Sequence, residues 1–336
     1  MKPTEAKAHP PLTTPLLRVE GVYVKPEYLL PSGSVKDRAA RYVLEEGLAS
    51  GRLRPGDEVI EPTSGNAGIA LSYWAVRLGL NAVVFMPENM TEERKTIIRG
   101  HGARLMLTPE SRGVVGAIQD AQAYAAEGGA DGSRGDATGA RADAAAPRRI
   151  LFDQFEDEAG VEGQALMGKE AWEQARAEGI DGFDVVVAGI GTGGTLCGAG
   201  GYLKMMRPAT RLIAVEPDAS PYVCTILFPS LPHPPAGPPL LSGPAAVCHL
   251  QEGIGDGLVP GIVARHRGLV DDAVLVSDAE ALDATLWLNR NGHPVGPSSG
   301  TNLTIARRLA GEGLRVLTFF CDRIDRYRSL PEFRGL

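Results

Sequence analysis

Lys36 is the residue whose setting most asks for a chemical explanation. It lies in PSGSVKDRAARYVLEEGLASG (31–51), among small residues and in the first turn of an expected helix. Ser34 and Asp37 fit the S-x-x-D pattern of a helix N-cap. A cation at that end opposes the helix dipole. An amine whose charge is disfavoured has a lowered pKa and attacks a carbonyl more readily, the profile of a Schiff-base lysine. A solvated surface lysine is the plain alternative.

Three loops of small polar residues could surround such an amine. GIGTGGT (189–195) follows an apolar run and opens a helix, so its N–H groups can converge on a phosphate. Gly189, Gly191 and Gly194 also satisfy G-x-G-x-x-G, and Glu216 stands near the spacing of a ribose-binding acid. A phosphate cradle, a dinucleotide site and a tight turn that binds nothing all fit this loop. PTSGNAG (62–68) sets Thr63, Ser64 and the N–H groups of 64–67 at the carboxyl end of a strand, a nest suited to a carboxylate. PVGPSSGTN (294–302) adds hydroxyls before another helix. Three such loops imply one cleft.

The elements that must position them alternate along the chain. Strand-like DEVIEP (57–62), NAVVFMP (81–87), ARLMLTP (103–109), RRILFDQF (148–155), DVVVAGI (184–190), RLIAVEP (211–217) and RVLTFF (315–320) are separated by helix-like segments. That order predicts an α/β protein with two mostly parallel sheets, one over roughly 40–147 and one from the remainder. Residues 125–146 are small and polar and read as a flexible insertion between the sheets. The proline-rich stretch 228–244 reads as a surface excursion.

Composition narrows the function classes. With 43% hydrophobic and 22% charged residues the chain is globular rather than disordered, and a net charge of −7 gives no footprint for nucleic acid or an anionic membrane. No apolar run approaches the ~18 residues of a membrane span, and the N-terminus lacks a signal-peptide core. Four cysteines without a CxxC argue against a disulfide scaffold and for a reducing cytoplasm. The histidines show no metal-ligand spacing, so no metal is expected. Cys197 and the three tryptophans read as packing residues, and CDRIDRYR (321–328) as a charged surface segment.

Taken in order, PSGSVKDR, EPTSGNAG, GTGGT and GPSSGTN resemble the pyridoxal-phosphate enzymes of the tryptophan-synthase-β fold type, nearest the cysteine synthase and cystathionine β-synthase branch. MPENMTEERKTIIRGHGARLMLTPE (86–110) and LQEGIGDGLVPGIV (250–263) look like the same branch, and the likeness runs from TPLL (14–17) to CDRIDRYRS (321–329). The resemblance implies two domains, each a mostly parallel twisted sheet flanked by helices. The larger, cofactor-binding one would span 1–39 and 148–336, and the smaller, mobile one 40–147. It implies that Lys36 bonds pyridoxal phosphate and later moves the α-proton of the substrate. Asn66 would meet the cofactor's 3′ oxygen, Gly191, Thr192, Gly193, Gly194 and Thr195 its phosphate, and Ser298 its pyridine nitrogen. Thr63, Ser64, Gly65 and Gln154 would hold the substrate α-carboxylate. A cytoplasmic homodimer is the expected assembly.

The activity implied is β-replacement on an activated L-serine by sulfide or a small thiol, through an aminoacrylate. Departures leave relatives of that activity open. Leu30, Ala67, Leu166, Met167 and Ile324 differ from the usual pattern, and Ala67 removes a hydroxyl from the carboxylate loop, as in serine and threonine dehydratases. Cystathionine formation is a third outcome; an NAD-binding oxidoreductase and a non-catalytic cofactor-binding partner protein are readings of a different class. No Lys or Arg occurs between Arg211 and Arg265, so a neutral ester such as O-acetyl-L-serine is expected over O-phosphoserine.

Overall fold

The computed structural model describes residues 10–63, 65–127, 147–228 and 249–336. Strands β1 (Leu17–Val19) and β2 (Val22–Pro26) are followed by helix α1 (Lys36–Ser50), β3 (Glu58–Pro62) and α2 (Asn66–Arg77). Next come β4 (Asn81–Pro87), α3 (Glu92–Gly100), β5 (Arg104–Thr108), α4 (Gly113–Glu127), β6 (Arg149–Leu151) and α5 (Glu158–Ala177). After β7 (Val185–Gly189), a π-turn at Leu196–Gly200 runs into α6 (Gly201–Met206), followed by β8 (Arg211–Pro217) and α7 (Tyr222–Leu227). The chain closes with α8 (Gly261–Arg265), β9 (Asp272–Val276), α9 (Asp278–Arg290), α10 (Pro297–Gly311) and β10 (Val316–Phe320).

Two sheets result. One has the order β1-β2-β10-β7-β8-β9, parallel except for the β1–β2 pair; the other, β5-β4-β3-β6, is parallel throughout. In β7, Val186 and Ala188 face one apolar layer with Met167 and Ala171 of α5, while Val185 and Val187 face the other with Leu303 and Ala306 of α10. Burial on both faces is why such strands read as continuous apolar runs. The smaller sheet is covered likewise, by α1 and α2 on one face and by α4 on the other. Helix α1 also packs on α5, so the helix that begins with Lys36 lies between the two halves.

Several expectations shift. β6 pairs with β3, so residues 149–151 belong to the four-stranded sheet rather than to the larger one. Helix α4 runs to Glu127 with Ala125 buried, so the first residues of the expected insertion 125–146 are helical; the remainder lies outside the described residues. Phe228 is buried at the end of α7, whereas 229–244 lies outside them. The N-cap of α1 is Val35, and the buried Ser34 hydroxyl has no partner. Asp37 instead accepts from Ser32 N at 2.8 Å and from Trp74 Nε1 at 2.5 Å. Above all, 321–328 is no surface run: Asp322, Arg326 and Tyr327 are at most 1% exposed, and Tyr327 packs with Ile324 and Phe333.

Candidate active site

Carboxyl ends of strands from both sheets meet at Lys36. The amine donates to Thr192 Oγ1 over 3.3 Å. Burial pushes its pKa below the ordinary lysine value, against the opposing pull of Asp256, Glu61 and the Cys321 thiol. A hollow of about 400 Å³ beside it is lined by Thr63, Gly65, Asn66, Gln154 and Thr192. An adjoining hollow of about 450 Å³ adds Gly194 and Thr195. Ser64 lies outside the described residues.

Each loop takes its form from local sequence. After β3, Thr63 Oγ1 accepts from Gly65 N at 2.9 Å, which turns the chain into α2 with Asn66 as its first residue. Asn66 Nδ2 donates to Asp322 Oδ2 at 2.6 Å, and its buried Oδ1 has no partner. Gln154 Nε2 donates to Glu61 Oε1 at 2.6 Å. Burial drives the Glu61 pKa well above the usual carboxylate range, and its Oε2 is unpartnered.

The 191–195 loop leaves β7 and enters the π-turn. Gly193 has φ +83°, a left-handed conformation that favours glycine. A Cβ on Gly191 would lie 2.6 Å from the Gly253 carbonyl oxygen, so only glycine permits that approach. Thr192 Oγ1 also accepts from Gly194 N at 3.3 Å. Ser298, in the first turn of α10 and 3% exposed, lines neither hollow; its hydroxyl meets the Cys321 thiol, whose pKa burial raises to about 12.

Glu216 is not available to a ribose. Its carboxylate accepts from Val223 N at 3.1 Å and Cys224 N at 2.7 Å, which caps α7. That removes the acidic half of the dinucleotide pattern. Cys197 is a packing residue, with burial raising its thiol to about 12.

Two charged residues that sequence reasoning passed over also reach the site. Arg94 of α3, 2% exposed, lines the hollow, pairs with Glu252 and sits 4.7 Å over the Tyr327 ring. Asp322 holds Asn66 from behind. Charged residues in polar stretches ordinarily read as solvated, so neither announced itself.

Comparison with known proteins places the chain in a family. Residues 8–322 match a family described as pyridoxal-phosphate dependent enzyme. A cysteine synthase of Staphylococcus aureus is 35% identical over 315 residues, covering 92% of this chain and 88% of the relative. The solved O-acetylserine-dependent cystathionine β-synthase of Helicobacter pylori superposes with a TM-score of 0.74 at 32% identity, over 92% of this chain and 88% of that one. An O-ureido-L-serine synthase gives 0.77 at 30% identity, over 96% and 92%.

Proposed function

The chain belongs to the pyridoxal-phosphate-dependent enzymes, and from that premise we propose that it catalyses β-replacement on an activated L-serine, with sulfide or another small thiol as nucleophile. The observation that carries this reading is the place of Lys36, a half-buried amine where a carboxylate nest and a glycine cradle meet. The residues fit the cofactor: the amine is uncharged more readily than usual, Asn66 lines the hollow with one amide N–H beyond the one given to Asp322, and the 191–195 loop opens a helical run that suits a phosphate. Lys36 would bond the cofactor's aldehyde carbon, Gly191, Thr192, Gly193, Gly194 and Thr195 its phosphate, Asn66 its 3′ oxygen, and Ser298 its pyridine nitrogen. When bound, the cofactor supplies the electron sink for bond breaking at the α-carbon of the amino acid.

The chain's own groups supply the rest. Lys36 Nζ takes up and returns the α-proton, with Thr192 Oγ1 orienting it. Thr63, Ser64 and Gly65 hold the substrate α-carboxylate, with Gln154 braced for the same task by Glu61. Ser298 offers a hydroxyl, not a carboxylate, and so does not keep a proton on the pyridine nitrogen; loss of the β-substituent together with the α-proton is the favoured course. The four-stranded half closes over the substrate, and the working unit is a cytoplasmic homodimer.

The leaving group is a neutral ester. Arg94 is the guanidinium that reaches the hollow from the four-stranded half, but Glu252 neutralises it and Tyr327 covers it, so it offers a dianion little. Supplying O-acetyl-L-serine or O-phosphoserine with sulfide tests the reading: cysteine should form, with kcat/KM higher for the acetyl ester. Thiol-independent release of a 2-oxo acid would replace it with elimination. The likeness to a cystathionine β-synthase makes homocysteine the second thiol to try.

A further inference from the structure

Asp322 is where the separate parts of the site are tied together. The residue is fully buried, and its Oδ2 accepts from Asn66 Nδ2 at 2.6 Å and from Tyr327 OH at 2.5 Å. Its backbone oxygen accepts from Gly296 N at 3.0 Å, two residues before Ser298. The preceding Cys321 accepts from Val35 N at 2.8 Å through its carbonyl, and its N–H donates to Ser299 Oγ at 2.9 Å. One dipeptide thus adjoins the entries to Lys36, Ser298 and Asn66.

We propose that Asp322 is a positioning residue for the cofactor: it fixes the Asn66 amide so that an N–H, not the carbonyl, is offered to the cofactor's 3′ oxygen. This rests on the reading of Asn66 given above. An ionised carboxylate only accepts hydrogen bonds, so it selects the NH₂ end of a neighbouring amide and repels the oxygen end. One N–H of Asn66 Nδ2 is engaged by Asp322. The other is the only side-chain donor left to Asn66, and the residue lines the same hollow as Lys36. Tyr327 donates to the same oxygen; burial raises the Asp322 pKa, and Arg326, these two hydrogen bonds and Arg94 pull it back toward the charged form. Without Asp322 the amide is free to turn, and its oxygen would meet the electron-rich 3′ oxygen.

The test uses the holoenzyme and the variants D322A, D322N, N66A and N66A/D322A. Two readouts are taken: cofactor affinity, and the ratio of the cofactor's visible to near-ultraviolet absorption bands, which follows the proton beside the 3′ oxygen. D322A should weaken cofactor binding about tenfold and shift the band ratio, one charge-assisted hydrogen bond being about that strong. D322N keeps an acceptor oxygen and should stay within about twofold of the native protein. In the N66A background, D322A should change neither readout further, since coupled residues are non-additive. A D322A shift of equal size with and without Asn66 overturns the proposal and makes Asp322 merely structural. If N66A shifts the bands but D322A does not, the proposal alone fails; if N66A leaves them unchanged, the reading of Asn66 fails with it. Should D322A not fold, Asp322→Val, which refills more of the volume but offers no hydrogen-bond acceptor, carries the same comparison.

Discussion

At the scale of single residues, the site divides into groups a sequence displays and groups it hides. Lys36 and the three loops are visible because their constraints are local: small residues, turn-forming glycines and a lysine at the wrong end of a helix. Arg94 and Asp322 are hidden because their partners stand 158 and 256 residues away, and a charge in a polar run ordinarily means solvent. Lys36→Ala should lower turnover by at least about a hundredfold while cofactor still binds without being fixed by borohydride. Mass spectrometry of the reduced protein checks it. Removing the charge of Glu252 leaves Arg94 buried and without its acidic partner, a poor state unless an anion arrives. E252Q should therefore move kcat/KM for O-phosphoserine upward relative to O-acetyl-L-serine by about tenfold, measured by competing the two esters.

At the scale of elements, parallel strands were legible because both of their faces are covered, which writes them as apolar runs. The three-residue β1, the half-buried β9 and the buried β2 were not: the first two carry too little apolar length to stand out, and Lys25 and Pro26 break the run in β2. The segment after β10 was misread for a different reason. Its arginines and aspartates pair inward, around Ile324, Tyr327 and Phe333, instead of facing water. Glu216 shows how an element can depend on a buried charge. Burial, offset in part by the N–H groups of Val223 and Cys224, raises its pKa from 4.5 to about 7. The folded state therefore holds this proton more tightly than the unfolded chain, and stability falls as pH rises from about 4.5 to about 7. E216Q lacks that slope. Urea unfolding at pH 5 and pH 8 should show the native protein losing up to about 3 kcal/mol more than the variant over this interval.

At the scale of the whole molecule, the proposed cofactor contacts come from both sheets: Asn66 after β3, the glycine cradle after β7, and Lys36 on the helix between. The halves are further joined where Thr91 donates to the Arg326 carbonyl at 2.8 Å and Ser329 N donates to Glu93 at 2.6 Å. Saturating pyridoxal phosphate should brace them, adding about 2.7 kcal/mol at a hundred times its Kd; calorimetry of cofactor-free and loaded protein measures it. The strand order carries one more consequence. β10, the last strand in chain order, lies between β2 and β7, and the Cys321–Asp322 turn follows it. A nascent chain still on the ribosome has the lysine, the glycine loop and the asparagine already made, but no central strand to join them. Cofactor capture therefore waits until β10 has been made, so a polypeptide that lacks it does not take a reactive aldehyde into a half-built cleft.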